Sequence, residues 1–127
     1  MESIKVEGTP KTPEIALDGN AGTLLISGRS IPENSVEFYA KVLSWLDAYS
    51  ETPCPKTILD VKLEYFNTSS SKCLLDVFKR LEGLKKGGAD VHIRWFYEED
   101  DEDMLEAGED YDSIIDLDFE MCVMEEQ

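Results

Sequence analysis

The sequence has few of the residues on which most enzymes and metal proteins depend. Its 127 residues include one histidine and three cysteines, and Cys54, Cys73 and Cys122 lie far apart without CxxC spacing. The motifs of serine hydrolases, phosphate-binding loops, zinc proteases and dinucleotide-binding folds are missing as well. We therefore predict a protein that is not an enzyme, needs no cofactor or metal, and keeps its thiols reduced in the cytoplasm.

The sequence also lacks long hydrophobic runs. No apolar stretch approaches the roughly 20 residues that a membrane span needs, and residues 1–5 lack the pattern of a signal peptide. Direct insertion into a membrane is therefore not expected. Hydrophobic residues make up 42% and charged residues 31% of the chain, which is ordinary globular usage. This length and composition predict one domain over residues 1–127.

Positive charge is absent from the last quarter of the chain. The formal net charge is −16, and residues 95–127 hold 15 acidic side chains with no Lys or Arg. Such a protein is a poor ligand for nucleic acid, because binding there requires clustered basic residues. The run Glu98–Asp103 lacks the glycine of an EF-hand loop, so a solvated loop is favoured over a Ca²⁺ site. An electrostatic docking surface for a basic partner stays open.

Hydrophobic periodicity and turn residues predict an alternation of strands and helices. The predicted strands are Ile4–Val6, Glu14–Leu17, Thr23–Ser27, Thr57–Phe66, Val91–Tyr97 and Ile114–Met121, and the predicted helices run from about Ile31 to Ser50 and from Lys72 to Lys86, with a short helical segment at Met104–Ala107. Helices between strands favour parallel pairing through right-handed crossovers. The prediction is an α/β fold, a single-domain two-layer sandwich with a mixed β-sheet, helices mainly on one face, and a STAS-like layout.

The first long helix carries two apolar stripes where a helix on one sheet face needs one. Val36, Tyr39, Leu43 and Leu46 form one stripe, and Phe38, Val42, Trp45 and Tyr49 form the other. The second stripe can be buried in a groove of the fold. It can equally be a partner-binding patch, because aromatic residues are favoured interface anchors.

His92, the only histidine, lies on the outward face of a predicted strand. Its outward position on a strand favours a surface role over that of a catalytic base. We predict a surface histidine that faces Asp116 or Asp118 across the sheet.

Four consecutive hydroxyl side chains mark the junction of a predicted strand and the second long helix. They are Thr68, Ser69, Ser70 and Ser71, between Asn67 and Lys72. One hydroxyl is enough to cap a helix, so three remain to be explained. A phosphoryl group at this junction would meet the positive end of the helix and would add about −1.5 to −2 charges.

The sequence resembles the SiaC family of bacterial regulatory phosphoproteins over essentially its whole length. The similarity lies in the opening IKVEGTPKTPEI, the strand–NTSSSK–helix–Gly-Gly–strand block, the VHIRWFYEEDDEDM run and the IIDLDF strand. It implies that Thr68 is the phosphorylated residue and that Asn67, Ser69, Ser70, Ser71 and Lys72 form the switch loop around it.

The same resemblance implies partners. A SiaB-type protein kinase would modify Thr68 and a SiaA-type PP2C-like phosphatase would reverse the modification. The unphosphorylated form would bind and activate a membrane diguanylate cyclase of the SiaD type, which raises cyclic di-GMP and promotes aggregation and biofilm formation. A looser similarity of layout to STAS domains leaves an alternative, an anti-sigma-factor antagonist in a partner switch.

Overall fold

The structure, a computed structural model, describes residues 3–124 and forms within them a six-stranded sheet with three helices. In chain order the elements are β1 (Ile4–Val6), β2 (Glu14–Asp18), β3 (Thr23–Ser30), α1 (Ser35–Tyr49), β4 (Lys56–Phe66), α2 (Thr68–Lys86), β5 (Asp90–Glu98), α3 (Glu102–Ile114) and β6 (Asp118–Met124). None of the helices in these residues is long and apolar enough to cross a membrane.

The strands lie in the sheet in the order in which they occur in the chain. β1, β2 and β3 pair antiparallel, while β3 to β6 pair parallel. Each of the three parallel connections contains one helix. Since such crossovers are right-handed and the strands advance in one direction, all three helices lie on the same face. The predicted two-layer α/β sandwich with a mixed sheet is confirmed.

The core lies between the helices and the inner face of the sheet. Along β4, Leu59, Val61 and Leu63 are buried while Ile58, Asp60 and Lys62 are only partly covered. This alternation is typical of a sheet with one solvated face. On that outer face, Arg94 makes two hydrogen bonds of 2.6 and 2.7 Å to the Asp60 carboxylate.

Helix α1 begins at Ser35, four residues after the predicted start. Asn34 has an extended backbone with φ −130°, and its side-chain oxygen accepts a hydrogen bond from the amide of Glu37 at 3.1 Å. Asn34 is therefore the N-cap. The predicted start near Ile31 is therefore wrong, and Pro32 and Glu33 lie before the helix.

Helix α3 is longer than predicted and displaces the start of β6. The predicted segment Met104–Ala107 extends to Glu102–Ile114, and β6 begins at Asp118 instead of Ile114. Gly108 lies so close to Trp95 that an added Cβ would be 2.5 Å from the indole ring. Gly108 therefore allows α3 to pack closely on β5, although glycine in a helix is less favourable than alanine by about 1 kcal/mol.

Candidate functional site

The four consecutive hydroxyl side chains, Thr68 to Ser71, are called the hydroxyl cluster here. They lie in the first turn of α2, which begins at Thr68 and not at the predicted Lys72. Asn67 is the N-cap, because its Oδ1 accepts a hydrogen bond from the Ser70 amide at 2.9 Å. The expectation from the family resemblance that residues 67–72 form a loop is therefore wrong, because Asn67 is the cap and Thr68 to Lys72 are helical. Because an amide side chain caps the helix, none of the four hydroxyls is needed for capping.

Thr68 presents its hydroxyl to solvent at the first helical position. The residue is exposed, and its side chain has no hydrogen-bond partner among residues 3–124. Thr68 lies two residues after the carboxyl end of β4, the edge of a parallel sheet at which ligands commonly bind. Thr68 is accordingly accessible to a modifying enzyme.

Ser70 faces inward and is fully buried. Its hydroxyl donates to the Ser30 carbonyl at 3.0 Å and accepts from the Ser30 hydroxyl at 2.8 Å. Because the Ser30 proton is committed to Ser70, Tyr39 must donate in its 2.7 Å contact with Ser30 Oγ. Burial raises the pKa of Tyr39 to about 12, consistent with a phenol that keeps its proton.

Ser69 and Ser71 also have partners. Ser69 Oγ lies 2.9 Å from Ser35 Oγ at the start of α1, and Ser71 Oγ lies 2.9 Å from the Tyr111 hydroxyl of α3. The three serines thus join the amino end of α2 to β3, α1 and α3. Their role in this structure is to hold the helix in place, which distinguishes them from Thr68.

The amino end of α2 carries no compensating negative charge. Its first turn contains no acidic residue, whereas α1 has Glu37 and α3 has Glu102 and Asp103 in the first turn. A helix amino end is equivalent to a partial positive charge. Lys72, exposed and one helical turn after Thr68, adds a full positive charge on the same side. An anion attached to Thr68 would therefore be stabilised.

The prediction of a partner-binding patch on α1 is wrong for three of its four residues. Val42 and Trp45 are 3% and 4% exposed and Tyr49 is fully buried. Trp45 stacks on Tyr49, whose hydroxyl lies 2.8 Å from Thr57 Oγ1 of β4. These side chains belong to the core because this stripe of α1 faces the sheet. Phe38, the fourth residue, is half-buried and packs against the core.

The structure shows a groove that the sequence analysis missed. This α2–α3 groove has a volume of about 290 Å³ and is lined by Phe66, Ser71, Lys72, Leu75, Ala107, Asp110, Tyr111 and Ile114. Its α3 side depends on the helix continuing beyond Ala107, where the predicted helical segment ended. The spacing of Ala107, Tyr111 and Ile114 at i, i+4 and i+7 is the signal that could have shown it.

His92 lies on the outer face between two carboxylates. Its Nδ1 is 3.0 Å from Asp118 Oδ2 and its Nε2 is 2.8 Å from Asp90 Oδ1. The predicted contact with Asp118 is confirmed, while Asp116 instead lies 3.3 Å from the Lys85 ammonium. Within residues 3–124, no three His, Cys, Asp or Glu side chains are arranged to hold a metal ion.

Known proteins resemble this chain in sequence and in structure. The family model described as SiaC family regulatory phosphoprotein matches residues 6–124. An uncharacterized protein of Pseudomonas aeruginosa (strain UCBPP-PA14) is 36% identical over 111 residues, covering 87% of this chain and 88% of that protein.

Two solved structures extend the comparison. The crystal structure of apo-SiaC from Pseudomonas aeruginosa matches with a TM-score of 0.88 and 33% identity, covering 97% of this chain and 100% of the other. The crystal structure of the diguanylate cyclase SiaD in complex with its activator SiaC, also from Pseudomonas aeruginosa, matches with a TM-score of 0.90 and 33% identity, over 95% of this chain and 99% of the matched one.

Proposed function

Because this chain belongs to the SiaC family of regulatory phosphoproteins, we propose that it is a non-enzymatic activator of a diguanylate cyclase, switched off by phosphorylation of Thr68. A SiaB-type kinase adds the phosphate and a SiaA-type PP2C-like phosphatase removes it. The cycle controls cyclic di-GMP and, through it, aggregation and biofilm formation. The partner class is supported by the solved complex of SiaD with its activator SiaC.

The choice of Thr68 rests on one observation: the four hydroxyl side chains differ in exposure and in hydrogen bonding. Ser70 is buried, and Ser69 and Ser71 are hydrogen-bonded to α1 and α3. Thr68 is exposed, and its hydroxyl has no partner within the described residues. A kinase can therefore reach Thr68 without unfolding the first turn of α2, whereas Ser70 is reached only after the buried contacts break.

Phosphorylation acts on docking through desolvation. A protein that covers the amino end of α2 removes water from Thr68. A phosphate on Thr68 then loses its hydration, which costs a few kcal/mol of binding free energy when the docking protein supplies no positive group for it. About 3 kcal/mol already lowers affinity more than a hundredfold. Activation itself occurs in the cyclase, because a bound protein shifts an equilibrium only by its different affinity for two states.

The long-range field of the protein contributes little to this switch. The formal net charge is already −16, and salt screens exposed charges beyond about 8 Å at physiological ionic strength. Two further negative charges change that field slightly. The effect of the phosphate is therefore local to Thr68 and the surface beside it.

Mass spectrometry after incubation with a SiaB-type kinase and ATP tests the proposal. We expect one phosphate, on Thr68, which a SiaA-type phosphatase then removes. The matched variants are Thr68→Ala, which should take up no phosphate, and Ser69→Ala, which should take up phosphate as the unchanged protein does. A phosphate on Ser69 or Ser71, with Thr68 unmodified, would contradict the proposal.

A further inference from the structure

A second groove lies between α1 and α2, toward the carboxyl ends of both helices. Its volume is about 560 Å³, and the residues around it include Leu46, Asp47, Glu51, Lys79, Arg80 and Gly83. Arg80 Nε donates a hydrogen bond of 2.9 Å to Asp47 Oδ1 across this groove. Thr68 lies 15 residues before Gly83, about 22 Å away along α2. This α1–α2 groove is therefore separate from the phosphorylation site and from the α2–α3 groove.

Nothing within residues 3–124 explains why position 83 is glycine. Gly83 is exposed in the interior of α2, and a Cβ added there would have no atom outside its own helical turn within 4 Å. Gly108 differs, because Trp95 leaves no room for a Cβ, and Gly88 differs, because its φ of 105° favours glycine. Glycine is less favourable than alanine in a helix interior. Gly83 instead leaves space for the close approach of another molecule.

Unpaired charges of opposite sign lie on the two sides of this space. Lys79 on α2 and Glu51, just after α1, are both exposed, and neither has an ionic partner among residues 3–124. Asp47 and Arg80 lie at the same height on their helices, because they are hydrogen-bonded to each other. Glu51 is therefore about level with Gly83, one turn farther along, and Lys79 lies about one turn before Gly83.

We propose that two copies of this chain associate through the α1–α2 groove, with α2 of each copy over α1 of the other. The Glu51 side chain of one copy fills the space above Gly83 of the other and meets Lys79 there, and symmetry repeats the contact. The association goes beyond the proposed function and is independent of it, because it leaves Thr68 uncovered at the other end of α2.

The direction of the helices and their charges set the symmetry. Helix α1 connects β3 to β4 and α2 connects β4 to β5 on the same face, so the two helices run parallel. A two-fold axis parallel to the helices places α2 of each copy over α1 of the other at equal height. A two-fold axis across the helices would set α1 against α1 and α2 against α2, which brings like charges together. Charge complementarity therefore favours the first arrangement.

The net charge of the protein does not prevent this contact. Of the 28 acidic residues, 15 lie in residues 95–127, which leaves 13 acidic and 12 basic residues in 1–94. The α1–α2 groove belongs to this nearly neutral part, whereas the acidic helix α3 packs on β5 and β6. Salt screens exposed charges separated by more than about 8 Å. A second copy therefore meets little repulsion at the α1–α2 groove.

Sedimentation equilibrium of the complete, unphosphorylated chain between about 1 and 500 μM tests this association. We expect a reversible monomer–dimer equilibrium with a Kd of about 10–100 μM, because small interfaces are typically weak. Glu51→Lys and Lys79→Glu should each weaken it about tenfold, since each turns two attractive contacts into repulsive ones. The double variant should associate within about threefold of the unchanged protein, because it restores opposite charges.

A third variant and two matched controls complete the test. Gly83→Leu should prevent association by filling the space that Glu51 of the other copy occupies, while thermal unfolding shows a folded protein. Lys11→Glu and Glu64→Lys make the same changes of charge at exposed positions outside the groove. Both controls should associate within about twofold of the unchanged protein.

The outcomes separate this inference from the proposed function. A chain that stays monomeric over the whole concentration range would overturn the inference, and so would a dimer that neither single variant weakens. If Lys79→Glu slows only phosphorylation by a SiaB-type kinase, the groove binds that kinase and the inference is wrong. Phosphorylation of Thr68 and its effect on the cyclase are measured in separate experiments, so the failure of either claim leaves the other standing.

Discussion

The Tyr111 hydroxyl donates a hydrogen bond of 2.8 Å to the backbone carbonyl of Ser71, and Ser71 Oγ lies 2.9 Å from the same hydroxyl oxygen. Because the Tyr111 proton is used by the carbonyl, Ser71 must be the donor in the second contact. The two bonds join α3 to the first turn of α2, three residues after Thr68. They hold together the two helices that form the α2–α3 groove.

Replacing Tyr111 by Phe should lower the free energy of unfolding by about 1–2 kcal/mol, because the Ser71 hydroxyl and carbonyl lose their partner in a part-buried position. Urea denaturation measures this change. The control is Tyr65→Phe, which removes a hydroxyl from a side chain that is 52% exposed and should stay within about 0.5 kcal/mol. Equal effects of the two substitutions would contradict the role assigned to Tyr111.

Asn67→Ala should cost about 1 kcal/mol of stability, because the Ser70 amide loses its capping oxygen. Thr68→Ala, one residue later, should change the free energy of unfolding by less than about 0.5 kcal/mol, since its hydroxyl caps nothing. The same urea titration compares the two variants. If Thr68→Ala is the more damaging substitution, the assignment of the N-cap to Asn67 is wrong.

Ser70→Ala should destabilise the protein by about 1–3 kcal/mol. It removes the donor to the Ser30 carbonyl and the acceptor of the Ser30 hydroxyl in a fully buried site. Ser69→Ala, on the solvent side of the same turn, should have a smaller effect. Thermal unfolding of both variants checks the order, and a Ser70→Ala variant as stable as the unchanged protein would disprove the buried network.

In the phosphorylated protein, Lys72→Gln should raise the second pKa of the phosphothreonine. Lys72 lies one turn after Thr68, and a nearby positive charge favours the dianion, so its removal makes the second proton harder to lose. The expected change corresponds to about 0.2–0.5 kcal/mol, the size of a helical i,i+4 pair.

Phosphorus NMR titration measures this pKa. Lys79→Gln serves as the control, because Lys79 is exposed on the same helix but eleven residues from Thr68. Should both variants titrate like the unchanged phosphoprotein, Lys72 is not the partner of the phosphate.

The alternation of the strands and the crossover rule were enough to predict the sheet and its helical layer. Leu59, Val61 and Leu63 alternate with polar residues in the sequence, and they are buried in the structure. The helix boundaries were harder to predict. Asn34 and Asn67 cap α1 and α2 through bonds to the amides of Glu37 and Ser70, and competing start signals, such as Pro32, obscured them.

The sequence was enough to select Thr68 as a candidate site, but the contacts around it could not be predicted. The surplus of hydroxyls around Thr68 was visible in the sequence, but their separate roles depend on contacts with Ser30, Ser35 and Tyr111, which are distant in the chain. Helical periodicity likewise could not decide between a core stripe and a surface patch for Trp45. Its burial follows from how α1 is rotated on the sheet, which depends on all its neighbours.

The most direct test of the account compares the affinity of one SiaD-type diguanylate cyclase for the unmodified protein and for the same protein fully phosphorylated on Thr68. We predict that phosphorylation weakens binding at least about a hundredfold and that treatment with a SiaA-type phosphatase restores it. Equal affinity of the two forms for the cyclase would contradict the proposed switch.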